Sequence, residues 1–194
     1  DLHLSIRRQR QMCIRDRGGH VQDQATLTLI LKDLRRAFDP ETETDLDVRG
    51  AAVKALGELG KHVQDQAMLT LILDYLRRAI DPTTEVHWSV RLAAVETLGE
   101  LGGHVQDQAT LTLTLKDLRR AIDPTTETHR HVRWAAVETL GALGGHVQDQ
   151  ALLALILKDL RGAIDPTTET HWHVRAAAVT ALIRLSCRWR DSTP

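Results

Sequence analysis

The chain has 194 residues, of which 42% are hydrophobic and 26% charged, with a formal net charge of −1, the composition of an ordinary soluble globular domain. No window approaches the roughly 18 consecutive apolar residues of a membrane span, the start lacks the apolar region of a secretory signal, and the charge balance gives no overall basic footprint for nucleic acid. Two cysteines, Cys13 and Cys187, make no disulfide framework, so a reducing cytoplasm is the expected compartment.

The first segment stands apart from the rest. Residues Arg7 to Arg17 read RRQRQMCIRDR, and all eleven match the translation of a sequencing adapter that the string resembles. Residues 1–17 are therefore expected to be a non-native tail, and Cys13 and its basic neighbours carry no functional argument. The segment holds five Arg and two Asp, so residues 18–194 carry about −4 and are mildly acidic.

From Gly18 onward the sequence repeats. GGHVQDQ begins at Gly18, Gly102 and Gly144, and GKHVQDQ at Gly60, a period of 42 residues. A fixed period in this range marks a solenoid. Four copies (18–59, 60–101, 102–143 and 144–185) fill the domain 18–185, and residues 186–194 form a C-terminal tail. Each copy carries two helical patterns. In the first, helix A is expected from Asp23, a good N-cap, to Phe38. Leu27, Ile30, Leu31, Leu34, Ala37 and Phe38 fall on its apolar stripe. Asp39-Pro40 stops it, because a residue before proline avoids helical angles. Helix B is expected from about Asp47 to Leu59, with Val48, Ala52, Ala55, Leu56 and Leu59 buried and Gly60 as the C-terminal stop.

One stretch disagrees locally. Thr110 to Leu115 alternates like a strand, whereas the same columns of the last copy, Ala151 to Ile156, read as helix. Equivalent columns share a structure, so helix is expected throughout, at a small propensity cost for Thr112 and Thr114. The fold class is all-α, a solenoid of four helix pairs.

The segments VRGAAVKALGELG, VRLAAVETLGELG and VRWAAVETLGALG resemble the second helix of HEAT-like repeats of the bilin-lyase-related type. The stretch from Asp39-Pro40 to Val48-Arg49 is several residues longer than that family's usual tight loop. The resemblance implies a ladder between neighbouring repeats, in which Asp39, Asp81, Asp123 and Asp165 meet Arg49, Arg91, Arg133 and Arg175. The last copy departs from the pattern, with Ile183 and Ser186 where the others have glycine, as a true C-terminal cap or simply where readable sequence ends.

Residues that could carry chemistry are few. His20, His62, His104 and His146 recur one repeat apart, and stacked helices sit roughly 10 Å from each other. They cannot converge on one zinc, whose ligands lie about 2 Å away. The pairs His129/His131 and His171/His173 point their rings in different directions. Some HEAT-like enzymes hold iron through His-Glu dipeptides, and this chain has none. There is no phosphate loop of the required form and no serine or cysteine in a nucleophile context. No catalytic residue, cofactor or metal is expected. Arg35-Arg36, Arg77-Arg78, Arg119-Arg120 and Arg161 end the A helices, where cations offset the helix dipole. A strip tracking phosphates is the alternative role.

Variation among the copies concentrates at the start of helix B. The four copies read Asp45-Leu46-Asp47, His87-Trp88-Ser89, His129-Arg130-His131 and His171-Trp172-His173, and four residues after the middle position stand Gly50, Leu92, Trp134 and Ala176. Positions four apart share a helix face. Trp and Arg on a surface suit binding hot spots. Leu46, Trp88, Leu92, Arg130, Trp134 and Trp172 are therefore expected to form one continuous exposed patch. The function that follows is a non-catalytic scaffold whose concave face and inter-helix loops bind a protein partner, as part of a larger HEAT-repeat protein. Nucleic-acid binding through the Arg row is the alternative. An enzyme, bilin lyase-like or metal-dependent, is implied only by kinship.

Overall fold

The computed structural model describes residues 24–191 apart from Gln106, with Gln24 and residues 187–191 by backbone alone. The expected tail and the Asp23 cap lie outside the described residues. Eight helices follow in pairs: α1 (Gln24–Phe38), α2 (Leu46–His62), α3 (Gln66–Ala79), α4 (Trp88–Gly102), α5 (Gln108–Ala121), α6 (Arg130–Gly144), α7 (Gln150–Gly162) and α8 (Trp172–Asp191). The odd-numbered helices are the A helices and the even-numbered ones the B helices. The most extensive contacts run between successive B helices, and each A helix packs on its own B helix. This is an all-α stack of helix pairs.

Local chemistry explains the boundaries. Asp65, Asp107 and Asp149 cap the A helices by accepting first-turn amides, as in the 2.9 Å bond from Ala67 N to Asp65 Oδ1. The alternating stretch 110–115 is helical; Thr112 and Thr114 turn their hydroxyls back to the carbonyls of Gln108 and Thr110, so neither stays unsatisfied. The long A–B connection is a structured turn. Asp81 Oδ1 accepts from Thr83 N at 2.9 Å, and the Asp81 carbonyl accepts from Thr84 N and Glu85 N at 3.1 and 2.9 Å. The same bonds recur at Asp123 and Asp165.

The expected helix-B stripe holds at its centre. Leu56, Leu98 and Leu140 are fully buried. Ala55 and Leu59 are half-buried rather than buried, and three further details differ. Helix α2 begins at Leu46, capped by Asp45, rather than at Asp47. Val48 is 42% exposed, although its counterparts Val90, Val132 and Val174 are buried; each of those three follows another described repeat, and Val48 does not. Gly60 is not a stop. Helix α2 continues to His62, and no described glycine has positive φ. Gly60 is instead a close-approach site, since a Cβ there would stand 2.8 Å from Leu101 Cδ1 of the next repeat.

The expected ladder exists with a different acid. Arg91 reaches Glu127 bidentately, Nε to Oε2 at 2.6 Å and Nη2 to Oε1 at 2.8 Å, and Arg133 reaches Glu169 in the same way. Arg49 pairs with Glu85. All three pairs are buried. The Arg Nη1 groups donate to carbonyls of their own A–B turn, Arg91 to Glu85 and Val86, and Arg133 to Glu127 and Thr128. The turn aspartates instead staple their own turns through Oδ1, as Asp81 does with Thr83. A fork with five donors can satisfy carboxylate and carbonyls together, which a buried charge requires. Burial pushes the Glu169 carboxyl up, but the hydrogen bonds from Arg133 and the His171 amide outweigh it and hold the group below its ordinary range.

Candidate functional site

The first helical position of each B helix is occupied by Leu46, Trp88, Arg130 and Trp172. The residue before it is the N-cap or its equivalent, Asp45, His87, His129 and His171. Position one thus projects beside the A–B turn at the same end of every repeat, and position five (Gly50, Leu92, Trp134, Ala176) lies one turn further on the same face.

The six expected binding residues divide in two. Leu46, Trp88 and Leu92 are partly buried and pack against the core. Arg130 is exposed, and Trp134 and Trp172 are 37% and 63% exposed. The expectation that the whole variable face is free of packing is therefore corrected for the first three. Trp88 is held by histidines of the following repeat. Its indole stacks on His129, with ring centroids 4.1 Å apart and planes 9° from parallel, and meets His131 edge-on at 5.9 Å. His129 and His131 lie 5.3 Å apart at 85°. His129 makes no side-chain capping bond, and its Nδ1 is buried without a partner, whereas His87 Nδ1 bonds the Ser89 hydroxyl at 2.8 Å. Burial lowers the His129 pKa; His131, Arg130 and Arg91 act in the same direction, against Glu127.

Beyond this cluster lies a groove of about 270 Å³ lined by Leu92, Arg130, His131, Trp134, His173 and Val174. Trp172 flanks it, stacked on His173 at 3.5 Å. The row Trp88, His131, Trp134, His173 and Trp172 is thus continuous across three repeats. From the sequence these histidines are expected to be structural or merely polar rather than metal ligands. Their role as ring partners of the tryptophans is legible in the two columns that flank the one holding Trp88 and Trp172, which carry His87, His129 and His171 on one side and His131 and His173 on the other. Among the described residues, no group of three or more His, Cys, Asp or Glu side chains is placed to hold a metal ion.

The Arg row at the A-helix ends is largely tied down. Arg77 bonds Asp117 at 2.6 Å and Asp74 at 2.8 Å, Arg119 pairs with Asp159, and Arg120 lies 3.8 Å from Asp81. In the one repeat where Tyr75 replaces that aspartate column, Arg35 stands 5.6 Å over the ring, a cation–π contact in place of the ion pair. No helix among the described residues is long and apolar enough to cross a membrane.

Residues 83–165 match the family model for HEAT repeats. No curated protein matches the chain. The matched segment opens in the A–B turn of the second repeat and spans α4 to α7, so it holds the Arg91–Glu127 pair whole and four of the six groove residues, with His173 and Val174 beyond it. The 42-residue period and the paired helices continue on both sides of that segment, so the chain is an all-α stack of helix pairs whose central part is similar to HEAT repeats.

Proposed function

We propose that this protein is a non-catalytic scaffold that binds a protein segment along the row Trp88, Leu92, Arg130, Trp134 and Trp172, with Leu46 at its near end. HEAT repeats generally serve as interaction scaffolds. The observation that carries the reading is the exposure of Trp134 and Trp172 on either side of His173, beside a groove whose lining holds Arg130 and two histidines and no carboxylate. Large exposed aromatics beside an arginine form the usual centre of a binding hot spot. The matching ligand is a peptide with an aromatic or aliphatic anchor next to an acidic residue.

Nucleic-acid binding through the A-helix arginines has less support. Phosphate tracking needs unpaired cations, and Arg77 and Arg119 are committed to aspartates of the next repeat.

The test is to pan a displayed random-peptide library on the full chain. Enriched sequences should combine an apolar anchor with Asp or Glu. Trp134→Ala and Trp172→Ala should each weaken an enriched peptide about tenfold or more, the scale of a hot-spot residue. Enrichment that survives both substitutions would overturn the assignment.

A further inference from the structure

The seam between repeats depends on two glycine columns. Gly57, Gly99 and Gly141 face Thr97, Thr139 and Ala181 of the following repeat, where a Cβ would stand 2.4, 3.0 and 2.5 Å from the nearest atom. Gly60, Gly102 and Gly144 face Leu101, Leu143 and Leu185, at 2.8, 1.9 and 3.1 Å. These distances leave little or no room for a side chain. The fourth repeat carries Ile183 and Ser186 in these two columns.

Otherwise its outer face keeps the features of a seam. Val179 is 42% and Ile183 58% exposed, although Val53, Val95 and Val137, the counterparts of Val179, are fully buried. Arg175 holds its own turn as Arg91 and Arg133 do, with Nη1 donating to the Glu169 and Thr170 carbonyls at 2.9 and 2.8 Å. It pairs with no carboxylate among the described residues. At the opposite end, Glu43 occupies the column of Glu85, Glu127 and Glu169, and Val48 is exposed where Val90, Val132 and Val174 are buried. A second copy stacked in the repeat register would offer Glu43 to Arg175. It would also bring Ala55 against position 183 and Leu59 against position 186.

We propose that Ile183 and Ser186 are a steric stop that bars a second copy of this chain from stacking head to tail on the fourth repeat. A head-to-tail contact of this kind does not close on itself and would propagate into filaments. Val179 and Ile183 leave apolar surface exposed on this face, and bulk does the excluding: an Ile in the column of Gly141 has no space against the residue that Ala55 would supply.

The test compares the full chain with Ile183→Gly/Ser186→Gly by sedimentation velocity over a concentration series, with circular dichroism to confirm helicity. The variant should at least double its weight-average mass as concentration rises, and the wild type should not. Adding Arg175→Glu should reverse the assembly, and adding Glu43→Arg to that variant should restore it. Ile183→Gly alone is run in parallel, since two glycines can soften α8. A folded glycine variant with unchanged mass overturns the proposal. So does a wild type that assembles and loses assembly on Arg175→Glu, an arm that needs no glycine variant to fold.

Discussion

The indole of Trp88 lies flat on the imidazole of His129, one repeat further along, with ring centroids 4.1 Å apart. Two columns that vary from copy to copy therefore meet across a seam in this pair, and part of the variation is packing. Trp88 belongs to the junction between the second and third repeats, while Trp134 and Trp172 stay free on the surface. Changing Trp88 to Ala should cost about 1–3 kcal/mol, less than the full loss for a completely buried aromatic. Trp134→Ala, at 37% exposure, should cost less than Trp88→Ala, and Trp172→Ala, at 63%, should stay within about 0.5 kcal/mol of wild type. Urea denaturation followed by circular dichroism measures all three, and equal costs would show that Trp88 is not special.

The same stack predicts a pH dependence. Burial and its cationic neighbours hold the His129 pKa below the ordinary histidine value. The unfolded chain therefore takes up this proton first as pH falls, and the stabilisation present above about pH 6.5 is lost on going below it. Glu169 also has a depressed pKa, so its contribution is lost separately, below the ordinary carboxylate value near about pH 4.3. Replacing His129 by Gln should flatten the stability profile in the upper window and leave the lower one intact. Melting temperature against pH, for wild type and variant, is the measurement.

Leu98 is fully buried in α4, inside the seam on both sides. Leu98→Ala should cost about 2–5 kcal/mol, the range for a leucine cavity. Because each repeat leans only on its neighbours, hydrogen exchange should show the second and third repeats opening before the fourth. A cost below about 0.5 kcal/mol would contradict the burial.

For the ladder, Glu127→Gln leaves Arg91 buried with its charge uncompensated. A cost of about 3–5 kcal/mol is expected in chemical denaturation. The double change Arg91→Met/Glu127→Leu removes both charges and should recover much of that loss. A double variant no better than the single would mean that the carbonyl bonds from Arg91 Nη1 to Glu85 and Val86 dominate.

Two glycines give opposite outcomes on the same substitution. At Gly103 a Cβ would meet nothing within 4 Å, and at Gly141 it would stand 2.5 Å from Ala181 Cβ and 3.0 Å from Ala181 Cα. Gly103→Ala should stabilise by about 0.4–1 kcal/mol through the unfolded chain. Gly141→Ala should destabilise by about 1–2 kcal/mol, overpacking exceeding the gain in helix propensity. The melting temperatures should move in opposite directions.

What the sequence by itself determined is everything local or periodic. The 42-residue spacing, the Asp caps of the A helices, the Asp-Pro stops and the Leu56, Leu98 and Leu140 column follow from patterns within one repeat, and one repeat is enough to state them. The tertiary structure decided what depends on a neighbour. Gly60 reads as a helix stop in isolation and becomes a docking site only when Leu101 arrives against it. Arg91 finds Glu127, 36 residues on, rather than an aspartate, because the stack brings that glutamate against it while the aspartate column caps its own turn. Trp88 and Trp134 occupy columns of the same helix face, yet one is packed in a seam and the other lines the groove, because His129 reaches the first. Periodicity fixes which residues recur, whereas the rise and rotation from one repeat to the next fix which of them meet, and those are properties of the packed stack.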